Sequence, residues 1–270
     1  MPYRVMGWVV LLVVASVVWC SVGAWPQEDP RIDELLGKLK ALTEDRKPAF
    51  VRQHVQIGVN GQIQQDRIQE VWVRDREHLR VDAGDGTVVL YTPEVIVLHH
   101  APSKVVLLAP QATLDALGDR RQAELQALGL NALDQPFKLL QEGQGHLSIS
   151  GEDVIADEPC WVLACNAELA ARWKAVLAGI PAEFEVTVAD IALEKETAMP
   201  RQLYFELIGP AALTISIVVE EVQENPEIAD ELFVFEAPDD VLTLTWTPEK
   251  SGAEMRKCLE ETIAQRLTQQ

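Results

Sequence analysis

The chain is poor in the residues that catalysis recruits. Its 270 residues include four cysteines and five histidines, and they contain no G-x-S-x-G elbow, no Walker loop, no G-x-G-x-x-G turn and no C-x-x-C pair. Positive charge is scarce as well. Lys and Arg number 23 against 42 Asp and Glu, a formal charge of −19, and such a surface repels the phosphates of nucleic acid and of anionic membranes. His99-His100 is the one histidine cluster, but neighbours on a strand point to opposite faces and do not hold one metal together without a bulge. Asp82, Asp85 and the Asp239-Asp240 pair read as turn residues rather than as acid and base. Glu220-Glu221, with Glu224 and Glu227, reads as a solvated edge. These absences predict a non-enzymatic protein that needs no cofactor and no metal and has no nucleic-acid partner.

Long apolar runs are confined to the N-terminus. Arg4 precedes an uncharged run, Val9 to Val18, and Val22-Gly23-Ala24 offers the small residues of a cleavage site, so residues 1–24 read as a signal peptide. A membrane anchor from Trp8 to Ala24 is the competing reading, and a lipid-modified Cys20 is disfavoured by the bulky Trp19 before it. Export predicts a periplasmic protein with three cysteines, too few for a disulfide framework. Cys160 and Cys165 flank WVLA in an expected strand, on the order of 16 Å apart and on opposite faces, which rules out a mutual bridge. A bond from either to Cys258 is expected to staple the last helix to the sheet.

Periodicity supplies the elements. Asp29-Pro30 starts a helix with Ile32, Leu35, Leu36 and Leu39 on one stripe. From Phe50 the period becomes two: Val51, Val55, Ile57 and Val59 share a face, and Asn60-Gly61 is a two-residue hairpin turn. Val71, Val73, Leu79 and Val81 share a face of the following strands. Next comes VVLYTPEVIVLHHAPSKVVLLAP, Val88 to Pro110. Val89, Tyr91, Val95, Val97, Val105 and Leu107 lie on one sequence parity, and Val88, Leu90, Ile96, Leu98, Val106 and Leu108 on the other. Both faces are apolar, whereas antiparallel sheets ordinarily leave one face wet, so each face needs a cover other than water. Helical pieces follow at 113–130 and from Pro136. Strands then resume after Gly145, interrupted by a helical insertion near 168–181, and Met255, Leu259 and Ile263 mark a final helix. The organisation expected is a signal at 1–24, one domain at 25–248 and a C-terminal helix at 249–270.

The order VWVRDREHLRVDAGDGTVVLYTP resembles the strand, arginine-proline segment, strand and hairpin of the LolA family of periplasmic lipoprotein carriers. Gln135 to Leu140 resembles that family's Pro-Phe and Leu-Leu segment, and Val219 to Val241 its closing strand. The resemblance spans about residues 30 to 245. It implies an α+β fold: an incomplete, strongly curved antiparallel β-barrel, a half-barrel, with helices as a lid over an apolar cavity. It implies a carrier of the acyl chains of lipoproteins or other lipids, working between membrane-bound donor and acceptor proteins. Parity nominates Val71, Val73, Val89, Tyr91, Val97, Leu107, Leu203, Phe205, Ile215 and Ile217 as lipid-binding lining, with Ile32, Leu35, Leu36 and Leu39 as the lid helix. The family's arginine-proline pair falls on Asp75-Arg76, which moves the rim charge to Arg74 or Arg76. The alternative function, shared by relatives of the RseB type, is an envelope module that uses the same curved sheet to bind a protein partner.

Overall fold

The structure, a computed structural model, describes residues 29–44, 47–75, 77–130, 135–177, 180–181 and 183–269. The expected signal peptide, Cys20 and Arg76 lie outside the described residues. Helix α1 (Pro30–Glu44) opens as its sequence predicts: Asp29 accepts from the Arg31 backbone N–H at 3.0 Å, and proline takes the first helical position. Two long strands follow, β1 (Ala49–Val59) and β2 (Gln62–Val73). Asn60 and Gly61 join them with φ of 50° and 77°, the positive pair that a tight hairpin turn requires.

The meander continues through β3 (Leu79–Asp82), β4 (Thr87–Tyr91), β5 (Val95–His100) and β6 (Val105–Pro110). Helices α2 (Gln111–Leu117), α3 (Arg121–Leu128) and α4 (Gln135–Glu142) come next, then β7 (Leu147–Ile155), β8 (Glu158–Cys165) and α5 (Ala167–Val176). Strands β9 (Glu185–Glu194), β10 (Pro200–Ile208), β11 (Ala212–Glu224) and β12 (Leu242–Thr245) precede the last helix, α6 (Gly252–Thr268). All these strands join one twelve-stranded sheet, in the order β12-β6-β5-β4-β3-β2-β1-β11-β10-β9-β8-β7. Its ends, β12 and β7, do not meet, so the sheet is an incomplete barrel. Every pairing is antiparallel except that of β12 with β6, which is parallel.

Helices cover the concave face in two groups. Helices α1, α4 and α5 bury Leu39, Leu140, Leu169 and Trp173 against β1 and β7–β11, where Phe205, Ile215 and Ile217 face them. Helices α2, α3 and α6 bury Leu114, Leu125, Met255, Leu259 and Ile263 against β2–β6. A capping box starts α6, Ser251 and Glu254 exchanging hydrogen bonds, and it docks on α3 through the Gly252 N–H, which donates to Glu124 Oε2 at 2.6 Å. A Cβ at Gly252 would stand 1.9 Å from the Glu124 carbonyl oxygen, so glycine is required for this approach.

The doubly apolar strands have their second cover, and it corrects one expectation. Val219 to Val241 is not a single closing strand: β11 ends at Glu224, and residues 225–241 cross the outer face as a strap. Phe233, buried, and the partly buried Ile228, Leu232, Phe235 and Val241 sit on Leu90, Val97 and Val106. Polar ties fix the strap at both ends. Arg74 pairs with Asp230 and lies 4.9 Å from the Phe233 ring centroid, Arg80 donates to the Leu232 carbonyl at 3.1 Å, and Lys104 pairs with Asp240.

Sequence parity assigned faces wrongly across the hairpins. Val89 pairs with Leu98 and Leu98 with Leu107, so an even residue faces an odd one at each turn. Val89, Ile96, Leu98, Val105 and Leu107 therefore share the helix-covered face, while Val95 and Val97 share the strap-covered one. The disulfide staple is also corrected. Cys160, Cys165 and Cys258 are all free thiols: the first two lie on β8, one strand from the β7 edge, and the third on α6, over β6 near the other edge. Cys160 and Cys165 are buried deeply enough to push their thiols up to about 11 and about 12.

The strap predicts a contrast between adjacent side chains. Phe233→Ala should cost about 3 kcal/mol, the range for a buried aromatic, while Val234→Ala, at a residue 58% exposed, should stay within about 0.5 kcal/mol. Urea denaturation of both variants checks it, and equal losses would mean that the strap is not anchored through Phe233.

Candidate functional site

The concave face is the largest apolar surface that the topology assembles, and it places nine of the ten lining residues that parity nominates. Leu203, Phe205, Ile215 and Ile217 lie under α1, α4 and α5, with exposures of 0–2%. Val71, Val73, Val89, Tyr91 and Leu107 lie under α2, α3 and α6. Val97 lies on the outer face beneath the strap, for the register reason given above. All four stripe residues of α1, Ile32, Leu35, Leu36 and Leu39, are buried against the first set. The expected rim charge Arg74 belongs to the strap's anchorage on Asp230 and Phe233.

Between the two apolar lobes runs a polar seam that periodicity passed over. On β1 the inward row is Val51, Gln53, Val55 and Ile57; on β2 it is Gln65, Arg67, Gln69, Val71 and Val73, with Ile57 opposite Gln65, Val55 opposite Arg67 and Gln53 opposite Gln69. Gln53 and Gln69 are 4% and 1% exposed. Arg67, its side chain 9% exposed, pairs through Nη1 with Asp85 in the β3–β4 turn. Burial pulls the guanidinium pKa down and the Asp85 charge opposes it. The seam continues to buried Thr87, His100 and Ser103, where Ser103 Oγ lies 2.7 Å from His100 Nδ1. Ser103 is fully buried, so this contact ties the β5–β6 turn rather than presenting a nucleophile. The seam's signal was visible as the polar residues at positions 53, 65, 67 and 69 inside otherwise apolar rows.

His99 and His100 separate as strand geometry demands, His99 packing on Phe235 of the strap at a 5.5 Å centroid distance. Burial pushes both imidazoles toward the neutral form. Among the described residues no group of three His, Cys, Asp or Glu side chains is placed to hold a metal.

The outer face carries one buried carboxyl. Asp190 on β9 lies opposite Tyr204 on β10 and Ala164 on β8 and is 3% exposed. Its Oδ2 has no hydrogen-bond partner among the described residues. Burial, and then the charge of Glu206, pushes its pKa up to about 7. Glu206 itself accepts a hydrogen bond from Tyr204 Oη at 2.9 Å.

No family model and no curated protein matches the chain. Among solved structures it is similar to an uncharacterized conserved protein from Thermus thermophilus, 11% identical, over 79% of this chain and 98% of that one, with a TM-score of 0.45. It is similar to the lipoprotein LppX of Mycobacterium tuberculosis, 11% identical over 75% and 100%, with a TM-score of 0.43. A LolA superfamily protein from Nitrosomonas europaea is 9% identical over 76% and 97%, with a TM-score of 0.34. The superfamily whose motifs the sequence resembles is thus represented among its structural neighbours.

Asp190 predicts a pH dependence with a definite sign. A carboxyl whose folded pKa is raised from about 3.9 to about 7 binds a proton more tightly folded than unfolded. Its contribution to stability is therefore full below about pH 4 and declines as pH rises to 7, then stays level. Asp190→Asn removes that decline. The variant should melt above the wild type at pH 8 and lose the advantage by pH 4.5. Parallel melting curves at both pH values would refute the assignment.

Proposed function

We propose that the protein is a carrier that takes up acyl chains of lipoproteins or other lipids between its helical lids and the concave face of its sheet, and moves them through the cell envelope. The observation that carries this reading is the concave face itself: an open sheet whose inner rows are apolar over both lobes, covered only by helices that share no β-ladder with it. Lids held by side-chain packing can separate from the sheet without breaking strand pairing. Polar ties of α1 to the rest of its lobe include Gln144 Nε2 to Asp33 at 2.6 Å, which is exposed, and Lys38 Nζ to the Lys195 carbonyl at 3.3 Å, which is partly buried.

Transfer of hydrocarbon from water supplies the affinity. Each buried methylene contributes about 0.8 kcal/mol, so a chain of a dozen methylenes offers roughly 10 kcal/mol before the costs of ordering it and moving the lids. No cofactor is needed for this, and the acidic surface keeps the carrier off anionic bilayers until a protein partner receives it. Among the described residues no helix is long and apolar enough to cross a membrane, and the periplasmic location rests on the N-terminal segment.

Uptake of a fluorescent fatty acid tests the proposal. The wild type should bind it at micromolar concentration, and Ile217→Phe, at a residue 1% exposed in the inner row, should weaken uptake at least fivefold with a small change in melting temperature, since the space it fills is the ligand's. If Ile217→Phe instead melts early, at the 1–3 kcal/mol cost of overpacking, and neither protein takes up the probe, the concave face is a closed core and a module for a protein partner becomes the better reading.

A further inference from the structure

The polar seam stands where an amphiphile in either lobe would have its end. A fold that had only to close its core would continue β2 inward as it does at Val71 and Val73; instead it sinks Gln65, Arg67 and Gln69 into the floor. Burying a guanidinium is costly, and a carboxylate that is itself 35% exposed is a weak counterweight for a side chain 9% exposed. Polarity at this depth therefore calls for a purpose beyond stability.

We infer that the seam is a headgroup site for an anionic amphiphile, in which Arg67 receives the carboxylate or phosphate while the acyl chain lies along one of the flanking lobes. The inference rests on the carrier reading above. Three observations carry it. Among the described residues Arg67 is the one Lys or Arg of the seam's inward rows, in a chain whose charge is −19, so an anion is repelled over most of the protein and attracted here. The planar guanidinium is suited to bidentate contact with carboxylate or phosphate, and its attraction is strongest where water is excluded. Gln65 lies one inward position away, and its Oε1 is buried without a hydrogen-bond partner among the described residues. Turned over, that amide offers an N–H to the same headgroup. Asp85, at the exposed side of the pair, then acts as the stand-in anion for Arg67 in the empty carrier, and the headgroup takes its place.

Binding of matched probes by the full chain tests this: oleate, its uncharged methyl ester, and dioleoyl phosphatidate, with inorganic phosphate as a competitor lacking a chain. The wild type should prefer oleate to the ester by about tenfold, Arg67→Gln should bring the affinity for oleate down to that of the ester, and Arg67→Lys should recover part of the preference. Tighter binding of phosphatidate than of oleate assigns the site to a phospholipid headgroup, the reverse order assigns it to a free carboxylate, and displacement of oleate by inorganic phosphate alone would show a simple anion site and overturn the inference. Equal binding of oleate and ester by the wild type would overturn it too, with the carrier reading left intact. Binding of none of the lipids would remove both.

Discussion

Each face of the sheet must be covered, and the rest of the structure follows from that constraint. Strands β4, β5 and β6 are apolar on both sides, so their concave face takes α2, α3 and α6 while their convex face takes the strap at 225–241. Strands β8 to β11 are apolar mainly on the concave side and need only α1, α4 and α5. The division of the helices into two groups, the strap and the seam between the lobes all answer this distribution of apolar rows. The edges are handled by other means. The last strand on one side, β12, has only four residues, and β7 on the other carries a register shift between Ile149 and Gly151 and the charges Glu152 and Asp153. Short, bulged and charged edges discourage further strands from adding.

Much of this was legible in the sequence because local rules agreed with the fold. Asp29-Pro30 and the α1 stripe, the Asn60-Gly61 hairpin, and the double-faced character of Val88 to Pro110 each have a physical signature confined to a few residues. What failed was long-range. Parity holds within a strand, but loops of two or four residues join an odd position to an even one, so faces must be reassigned at each hairpin. Tyr91 pairs with Ile96, and the reassignment there moved Val97 to the outer face. The strap was misread because Phe233, Phe235 and Val241 supply apolar residues as a strand would, while Pro226 and Pro238 and the lack of a free ladder keep it irregular. Distance defeated the cysteine expectation, since no spacing rule reveals that β8 and α6 serve opposite ends of one sheet.

Two buried ionisable groups mark the two faces differently. Asp190 on the convex side is pushed toward its neutral form and burdens the fold at neutral pH and above. Arg67 on the concave side keeps its charge and its partner, at the boundary between two apolar lobes. A charge held there costs stability and contributes nothing to hydrophobic packing. It makes physical sense when the face is used by molecules with an apolar chain and an anionic end, which unites the lobes, the lids and the seam in one function.

Photocrosslinking with a long-chain fatty acid carrying a diazirine near its methyl end tests that unity most directly, because it records where hydrocarbon lies in the bound protein. The account predicts labelled peptides from the concave rows and their lids, such as those containing Phe205, Ile217 or Leu39, with little label on the strap. Label confined to Phe233, Phe235 and the convex face, or label spread evenly over the surface, would contradict it.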